Sequence, residues 1–260
     1  MHYYVGYSGG VTSWACAKLL VDKHGPYSVT LLFADTRIES DDLYTFLHEG
    51  AEALAQDMRI TILCDGRTPW EVMADVKMIG SDLRAVCSRV LKRDKLKDYR
   101  ERHCDPTTSR HAVGMDWLEV NRFERHAAAM AKEGWTAIAP LIDAGVDKAG
   151  AIRMAKDAGL TLPAAYTEGF SHANCAGMCV RSGIGHWRRL LALHPERFNR
   201  AAMEEWHLQR KLGVQNTYLR RWGRNVSLLE LKALDEQGAF PNPAVDDGGG
   251  CGCALELGDE

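Results

Sequence analysis

A loop that follows the first apolar run of the chain combines glycines with hydroxyl side chains. Residues 3–7 are typical of a strand, and the residues from 13 onward have helical periodicity. In such a loop, glycines let backbone N–H groups approach an anion, hydroxyls donate hydrogen bonds, and the helix N-terminus adds its positive end. The Walker ending Gly-Lys-Ser/Thr is missing, and an ordinary glycine turn with an N-cap serine is the alternative. The candidate phosphate-binding residues are Ser8, Gly9, Gly10, Thr12 and Ser13.

A second polar pair follows the next strand-like run. Residues 31–34 are apolar and lead directly into Asp35 and Thr36. In a parallel α/β sheet this position provides an acceptor and a hydroxyl for a ribose or a base. The loop and this pair together predict a nucleotide site, whereas a helix-capping role is the alternative for Asp35.

Cysteines provide the third group of candidates. The sequence has eight, and Cys175 and Cys179 are one helical turn or one tight turn apart among several glycines. Adding Cys87 and one of Cys251 or Cys253 gives four thiolates, and the ligand set we predict includes Cys253. Three assignments stay open at this stage: a 4Fe-4S cluster, zinc, and free or redox-active thiols.

The composition of the chain indicates the class of protein in which these candidate residues occur. The chain has 260 residues, of which 46% are hydrophobic and 26% charged, as in globular proteins with a sizeable core. It contains no apolar window of the ~20 residues that a membrane span needs, so we expect a cytoplasmic protein with no membrane contact. The formal charge is -3, yet basic residues concentrate within 84–102 and 181–224. They are either solvated helix faces or contacts to phosphates or nucleic acid.

Strand-like and helical segments alternate through the first part of the chain. This pattern predicts an α/β fold with a doubly wound, parallel, five-stranded sheet, ligands at the carboxyl ends of the strands, and a C-terminal helical appendage. We divide the chain into a nucleotide-binding domain (1–145), a helical region with Cys175 and Cys179 (146–240) and a Gly/Cys tail (241–260). The predicted strands are 3–7, 29–34, 60–64, 111–115 and 136–139, and the first helices are 13–22, 43–57, 70–79, 89–102 and 121–133.

The loop and the Asp-Thr pair together resemble the PP-loop superfamily, the ATP pyrophosphatases and phosphoadenosine phosphosulfate (PAPS) reductases. Their loop reads Ser-Gly-Gly-x-Asp-Ser and their second strand ends in Asp-Thr. Thr12 stands where Asp is usual, which affects hydrolysis more than nucleotide binding. The matching residues are Ser8, Gly9, Gly10, Ser13, Asp35 and Thr36.

Further segments look like the substrate-facing parts of the PAPS-reductase-like branch, namely 87–93, 114–119 with Arg122, and 140–143. The resemblance implies that basic side chains there hold sulfate, phosphate or a polynucleotide backbone, or else form an exposed basic helix. It also implies that Asp116 and Glu119 meet the nucleotide or its Mg²⁺, unless they only cap the next helix. The basic candidates are Arg89, Lys92, Arg93 and Arg122.

The segment 170–187 and the pair Cys251 and Cys253 resemble parts of uncharacterised PAPS-reductase-like proteins, many of them from phages. Related enzymes hold an iron-sulfur cluster beside the nucleotide. Thioredoxin-dependent PAPS reductases end in a Glu-Cys-Gly-Leu-like tail, which is absent here. The two tail cysteines are therefore catalytic candidates as nucleophile or resolving thiol, alongside Asp116 and Glu119.

These observations lead to three hypotheses. The first is ATP-dependent adenylation followed by sulfur transfer to an acceptor such as a nucleic acid. The second is reduction of PAPS or adenosine phosphosulfate, and the third is a non-catalytic nucleotide- or metal-binding subunit. The expected cofactors are ATP or PAPS, Mg²⁺ and a 4Fe-4S cluster or Zn²⁺. The expected partners are an adenine nucleotide, a nucleic-acid or small sulfur acceptor, and a sulfur- or electron-donor protein.

Overall fold

A computed structural model describes residues 1–81, 84–221 and 223–240. The predictions for the tail, including Cys251 and Cys253, lie outside these residues. No helix among the described residues combines the length and apolar character needed to cross a bilayer.

Five parallel strands form the central sheet in the order β3-β2-β1-β4-β5. This result confirms the predicted α/β class and the five-stranded parallel sheet. The fourth strand ends earlier than predicted, because Gly114 already belongs to the connection that approaches the first helix. The strands are β1 His2–Gly6, β2 Val29–Asp35, β3 Ile60–Cys64, β4 Ser109–Ala112 and β5 Ala137–Ile138.

Helices connect the strands and flank the sheet. The segment predicted as one helix over 89–102 consists of a π-helical turn at Arg89–Arg93 and most of α5, and the short helix α4 directly precedes it. In this first part of the chain the helices are α1 Val11–His24, α2 Asp41–Leu54, α3 Pro69–Asp75, α4 Val86–Ser88, α5 Asp94–His103, α6 Val120–Lys132 and α7 Pro140–Asp143.

Successive side chains of each strand point to opposite faces of the sheet. Val5 and Leu31 lie in the apolar core with α1 and α2, and Ala151 of α8 (Lys148–Asp157) joins them there. Tyr4 points to the opposite face, where its ring contacts Tyr99 of α5 at a centroid distance of 6.1 Å. Helices therefore cover both faces, as in a doubly wound fold.

The C-terminal part of the described chain has its own apolar core. It is built on Trp187, Phe198 and Tyr218, and it also includes Trp70 and Met73 of α3. A short antiparallel hairpin lies within this region and was not predicted from the sequence. The elements are α9 Ala164–Thr167, α10 Ile184–Leu193, α11 Pro195–Leu212, β6 Leu219–Arg221, β7 Arg224–Val226 and α12 Leu228–Glu236.

A buried carboxylate joins α11 to the hairpin and to α12. Glu205 accepts backbone hydrogen bonds from Tyr218 and Leu228, both at 2.7 Å, and its side chain is almost completely buried. Burial raises the pKa of Glu205 to about 7, although the two N–H donors favour the charged form. The folded state therefore holds a proton on this carboxyl at pH values where the unfolded chain has lost it.

We expect the free energy of unfolding to fall by up to ~3 kcal/mol as the pH rises from about 4.5 to about 8. The sign follows because a raised carboxyl pKa stabilises the fold most when the group is protonated. Urea unfolding across this pH range measures the change. Glu205→Gln should lower the stability at every pH and remove this component of the pH dependence; an unchanged slope in the variant would contradict the assignment to Glu205.

Candidate functional site

A cavity of about 320 Å³, which we call the main cavity, opens at the carboxyl ends of β1 and β4. The strand order reverses between these two strands, and such a switch point is where doubly wound sheets bind ligands. Its volume is within the range of small-molecule sites. Predicted site residues that line it are Ser8, Gly10, Thr12, Ser13, Lys92, Arg93, Asp116, Glu119 and Arg122.

The Ser8–Ser13 loop is organised around the hydroxyl of Ser13. Its Oγ donates to the carbonyl of Gly10 at 2.8 Å and accepts from the backbone N–H of Ser8 at 3.1 Å. Gly9 has a φ of 77°, a conformation that favours glycine. Helix α1 starts at Val11, and its N-cap residue Gly10 makes no side-chain capping bond. The N-cap residue therefore adds no side chain of its own at the positive end of α1, which lies beside the cavity and can attract an anion.

Gly114 permits the loop and the end of β4 to come together. A Cβ atom at this position would lie 2.6 Å from the backbone Cα and N of Ser13, closer than real side chains approach. Because the obstructing atoms belong to the backbone of α1, no side-chain movement could relieve the contact. Position 114, the first residue of the Gly-Met-Asp sequence, therefore requires glycine for steric reasons.

We expect Gly114→Ala to separate β4 from the first turn of α1, to lower the melting temperature by several degrees and to weaken anion binding at the loop. Gly6→Ala in the adjacent strand is the control for stability, since its Cβ would have only the Ala112 carbonyl nearby, at 3.9 Å. Thermal unfolding of both variants measures the effect. Equal melting temperatures for Gly114→Ala and wild type would refute the steric argument.

Basic side chains approach the cavity from the π-helical turn Arg89–Arg93. Such turns are rare and are frequent at functional sites. Lys92 and Arg93 line the cavity, whereas Arg89 is exposed and does not. Of the predicted basic candidates in this turn, the structure therefore brings two to the cavity. The fourth candidate, Arg122, reaches it from α6 and forms an ion pair with Glu119.

Two further residues of the cavity were missed by the sequence analysis. Lys148 begins α8, and its ammonium lies 5.1 Å from the ring centroid of Tyr166 while donating to the carbonyl of Ser171. The Tyr166 hydroxyl accepts from the backbone N–H of Val11 at 3.2 Å, within the phosphate loop. These contacts link 148–171 to the loop. Their sequence signal was weak because a lysine at a helix start and a tyrosine in a short helix are ordinary surface residues.

The two predicted carboxylates cap the turn that follows β4 and also line the cavity. Asp116 accepts from the backbone N–H of Leu118 at 2.9 Å, and Glu119 accepts from the backbone N–H of Asp116, which forms a capping box. Both side chains also line the cavity. Burial raises the pKa of Asp116. Because Mg²⁺ usually binds one or two carboxylates together with substrate phosphates, this pair fits a nucleotide-bound magnesium ion.

The predicted Asp-Thr pair is not brought to the main cavity. Asp35 accepts from the Tyr44 hydroxyl at 2.7 Å and from the backbone N–H of Arg37 at 2.8 Å. The Thr36 hydroxyl donates to Glu39 at 2.9 Å and lines a second, smaller cavity. The pair therefore lies between the Ser8–Ser13 loop and the region of Cys175 and Cys179.

The second cavity has a volume of about 20 Å³ and brings the predicted cysteine ligands together. Cys87, Cys175 and Cys179 line it, and so does Lys92, which also lines the main cavity. Among the described residues, however, no three His, Cys, Asp or Glu side chains are grouped closely enough to hold a metal ion. The metal or cluster therefore stays a prediction, and its predicted fourth ligand, Cys253, lies outside the described residues.

An unusual backbone conformation presents Cys175. Cys175 and Ala176 have φ angles of 55° and 50°, and Gly177 follows with 84°, so three successive residues are left-handed. For non-glycine residues this conformation is costly and often marks functional sites. The Glu39 side chain accepts from the backbone N–H of Cys175 and thereby fixes the turn.

Glu39 also connects the turn to the basic residues of the main cavity. Its carboxylate lies 3.4 Å from the ammonium of Lys92, and both side chains are more than 90% buried. An isolated buried charge is unfavourable, so the pair and the Thr36 hydroxyl stabilise one another. Nothing in the sequence distinguished Glu39 from a surface glutamate at a helix start.

We expect Glu39→Gln to weaken this connection, to loosen the Cys175 turn and to raise the labelling rate of the buried thiols by about tenfold or more. A maleimide time course followed by mass spectrometry of Cys175 and Cys179 measures the rate. Glu49→Gln, at an exposed site on α2, is the matched control and should label like wild type. Labelling of the Glu39 variant at the wild-type rate would show that the turn does not depend on Glu39.

The fold and the cavity define an α/β protein with a loop of glycines and hydroxyl side chains at the switch point of a parallel sheet. Comparison with models of known protein families and with curated proteins finds no match. The resemblance to the PP-loop superfamily therefore stays a prediction from the sequence motifs.

Proposed function

We propose that this chain is a nucleotide-binding enzyme of the PP-loop type. The observation that carries the proposal is one cavity that combines the N-terminus of α1, two basic side chains from a π-helical turn and two carboxylates. Phosphates need donors and positive charge at close range, and the carboxylates would serve a magnesium ion or accept a proton.

The reaction that we favour is adenylation of an acceptor followed by sulfur transfer. A nucleophilic atom of the acceptor would attack the α-phosphorus of ATP, and the bond to the pyrophosphate oxygen would break. Lys92, Arg93 and the N–H groups at the start of α1 would stabilise the charge that develops on the phosphates. A sulfur nucleophile from a donor would then displace AMP from the acceptor. The basic stretches of the chain favour a polynucleotide acceptor.

A second candidate is reduction of PAPS or adenosine phosphosulfate. The favouring observation is that Lys92 lines both the main cavity and the cavity of Cys87, Cys175 and Cys179, so thiols lie beside the proposed phosphate site. A thiolate would attack the sulfur of the sulfonucleotide, the S–O bond to the phosphate would break, and adenosine bisphosphate or AMP would leave. A second thiolate would then attack the sulfur of the resulting S-sulfocysteine, form a disulfide and release sulfite. Release of sulfite from PAPS would favour this candidate, and pyrophosphate release from ATP would favour the first.

Thr12 lines the cavity at the position where the PP-loop pattern has Asp. This departure supports the third candidate, a subunit that binds nucleotide without turning it over. Tight ATP binding with no pyrophosphate or sulfite release would favour that role.

Arg93 and Arg89 form a matched pair for testing the phosphate site. Both belong to the π-helical turn, but only Arg93 lines the cavity. We expect Arg93→Ala to weaken ATP binding by about tenfold, since a charge-assisted hydrogen bond contributes ~1.5–3 kcal/mol, and Arg89→Ala to leave it unchanged. Isothermal titration calorimetry with Mg-ATP measures both. Equal losses in the two variants would mean that general surface charge, rather than the cavity, attracts the nucleotide.

A further inference from the structure

The inner end of the main cavity lies against the sheet face opposite to α1. Tyr4 and Gly6 alternate onto this face of β1, and His111 of β4 is the register partner of Tyr4, with ring centroids 5.6 Å apart. Helix α6 covers the space with His126 and Met130, which are one turn apart. All five residues line the cavity. We call this region the inner compartment.

Two imidazole groups in the inner compartment have unmet hydrogen-bonding capacity. His111 is 9% exposed and His126 is 3% exposed. Nε2 of His111 and Nδ1 of His126 are buried, and neither has a hydrogen-bond partner among the described residues. Buried polar atoms in native structures nearly always have partners. Two such atoms lining one cavity point to a bound group that supplies the missing partners.

The charge state of the two rings restricts the chemistry of that group. Burial, reinforced by the positive charge of Arg100, lowers the pKa of His111 to about 3 and that of His126 to about 4. Both rings are therefore neutral at pH 7, and each neutral imidazole carries one donor and one acceptor. The neutral rings complement a group with donors and acceptors along its edge, and the buried Arg100 guanidinium, which also lines the cavity, adds a positive charge beside them.

The shape of the inner compartment favours a flat group. No side chain fills the space at Gly6, between the Ser8–Ser13 loop and Tyr4. A Cβ atom at position 6 would have only one neighbouring atom within 4 Å. The Tyr4 ring and the Met130 thioether add apolar, polarisable surface. A planar nitrogen heterocycle combines the flat shape with the edge chemistry that the histidines require.

We propose that the inner compartment binds the purine base of the nucleotide whose phosphates occupy the Ser8–Ser13 loop. This inference rests on the proposed function and adds to it a base-recognition site that involves His111 and His126. One continuous cavity contains the loop and the inner compartment, so a single nucleotide can occupy both. A base of the acceptor is the other source of such a ring, and the test separates the two.

The test compares ATP with inorganic tripolyphosphate, which has the phosphates but no base. Calorimetry on the full chain with each ligand is applied to wild type, His111→Leu and His126→Leu. We expect ATP affinity to fall at least tenfold in both variants, with tripolyphosphate affinity within twofold of wild type. Since leucine removes the unpartnered nitrogens without leaving a large void, neither variant should melt below wild type.

Gly6→Ala provides a second, independent variant that keeps all polar groups. Its new methyl group would project into the floor of the inner compartment without meeting backbone at close range. We expect it to reduce ATP affinity at least tenfold and to spare tripolyphosphate.

Three outcomes overturn the proposal in distinguishable ways. Unchanged ATP affinity in all three variants would show that the inner compartment does not bind the base of the nucleotide, whereas the phosphate site would remain supported. This is the result expected if a base of the acceptor occupies the inner compartment. Equal losses for ATP and tripolyphosphate would mean that the substitutions damage the loop. A wild-type chain that binds neither ligand would contradict the proposed function itself.

Discussion

The close approach between Gly114 and Ser13 is the constraint on which the candidate site depends. A β-carbon at position 114 would lie 2.6 Å from the backbone of Ser13, so only glycine allows the connection after β4 to pass directly beside the first turn of α1. This contact closes the switch point of the sheet at one side. The result is a cavity with the helix N-terminus at one end and the inner compartment, lined by Tyr4, His111 and His126, at the other.

The ion pair of Lys92 and Glu39 connects this cavity to the cysteines. Lys92 lines both cavities, and its partner Glu39 also accepts from the backbone of Cys175. A change in the charge near Lys92, such as a bound phosphate, would therefore act on the same carboxylate that holds the left-handed turn. One buried ion pair thus connects the proposed phosphate site to the Cys175 turn.

The sequence predicted the repeating parts of the fold better than the irregular ones. Alternating strand and helix patterns were sufficient for the five parallel strands, because apolar periodicity reports burial directly. The hairpin at β6 and β7 was missed because each strand has only three residues and most of them are polar. Helix 89–102 was predicted as regular because a π-helical turn has no distinct periodicity in so short a segment.

For the site, local motifs located the loop and the carboxylates but not their long-range partners. Lys148, Tyr166 and Glu39 act through contacts with residues far away in sequence, which spacing cannot reveal. Arg89 was predicted as a site residue but does not line the cavity. The geometry of the π-helical turn decides which of its residues face the cavity, and sequence spacing does not show that geometry.

The most direct test of this account is a crystal structure of the full chain with a non-hydrolysable ATP analogue and Mg²⁺. The account predicts phosphate oxygens at hydrogen-bonding distance, about 3 Å, from backbone N–H groups at the start of α1, with Arg93 beside them. Phosphates bound elsewhere, with the Ser8–Ser13 loop making no contact to the nucleotide, would contradict it.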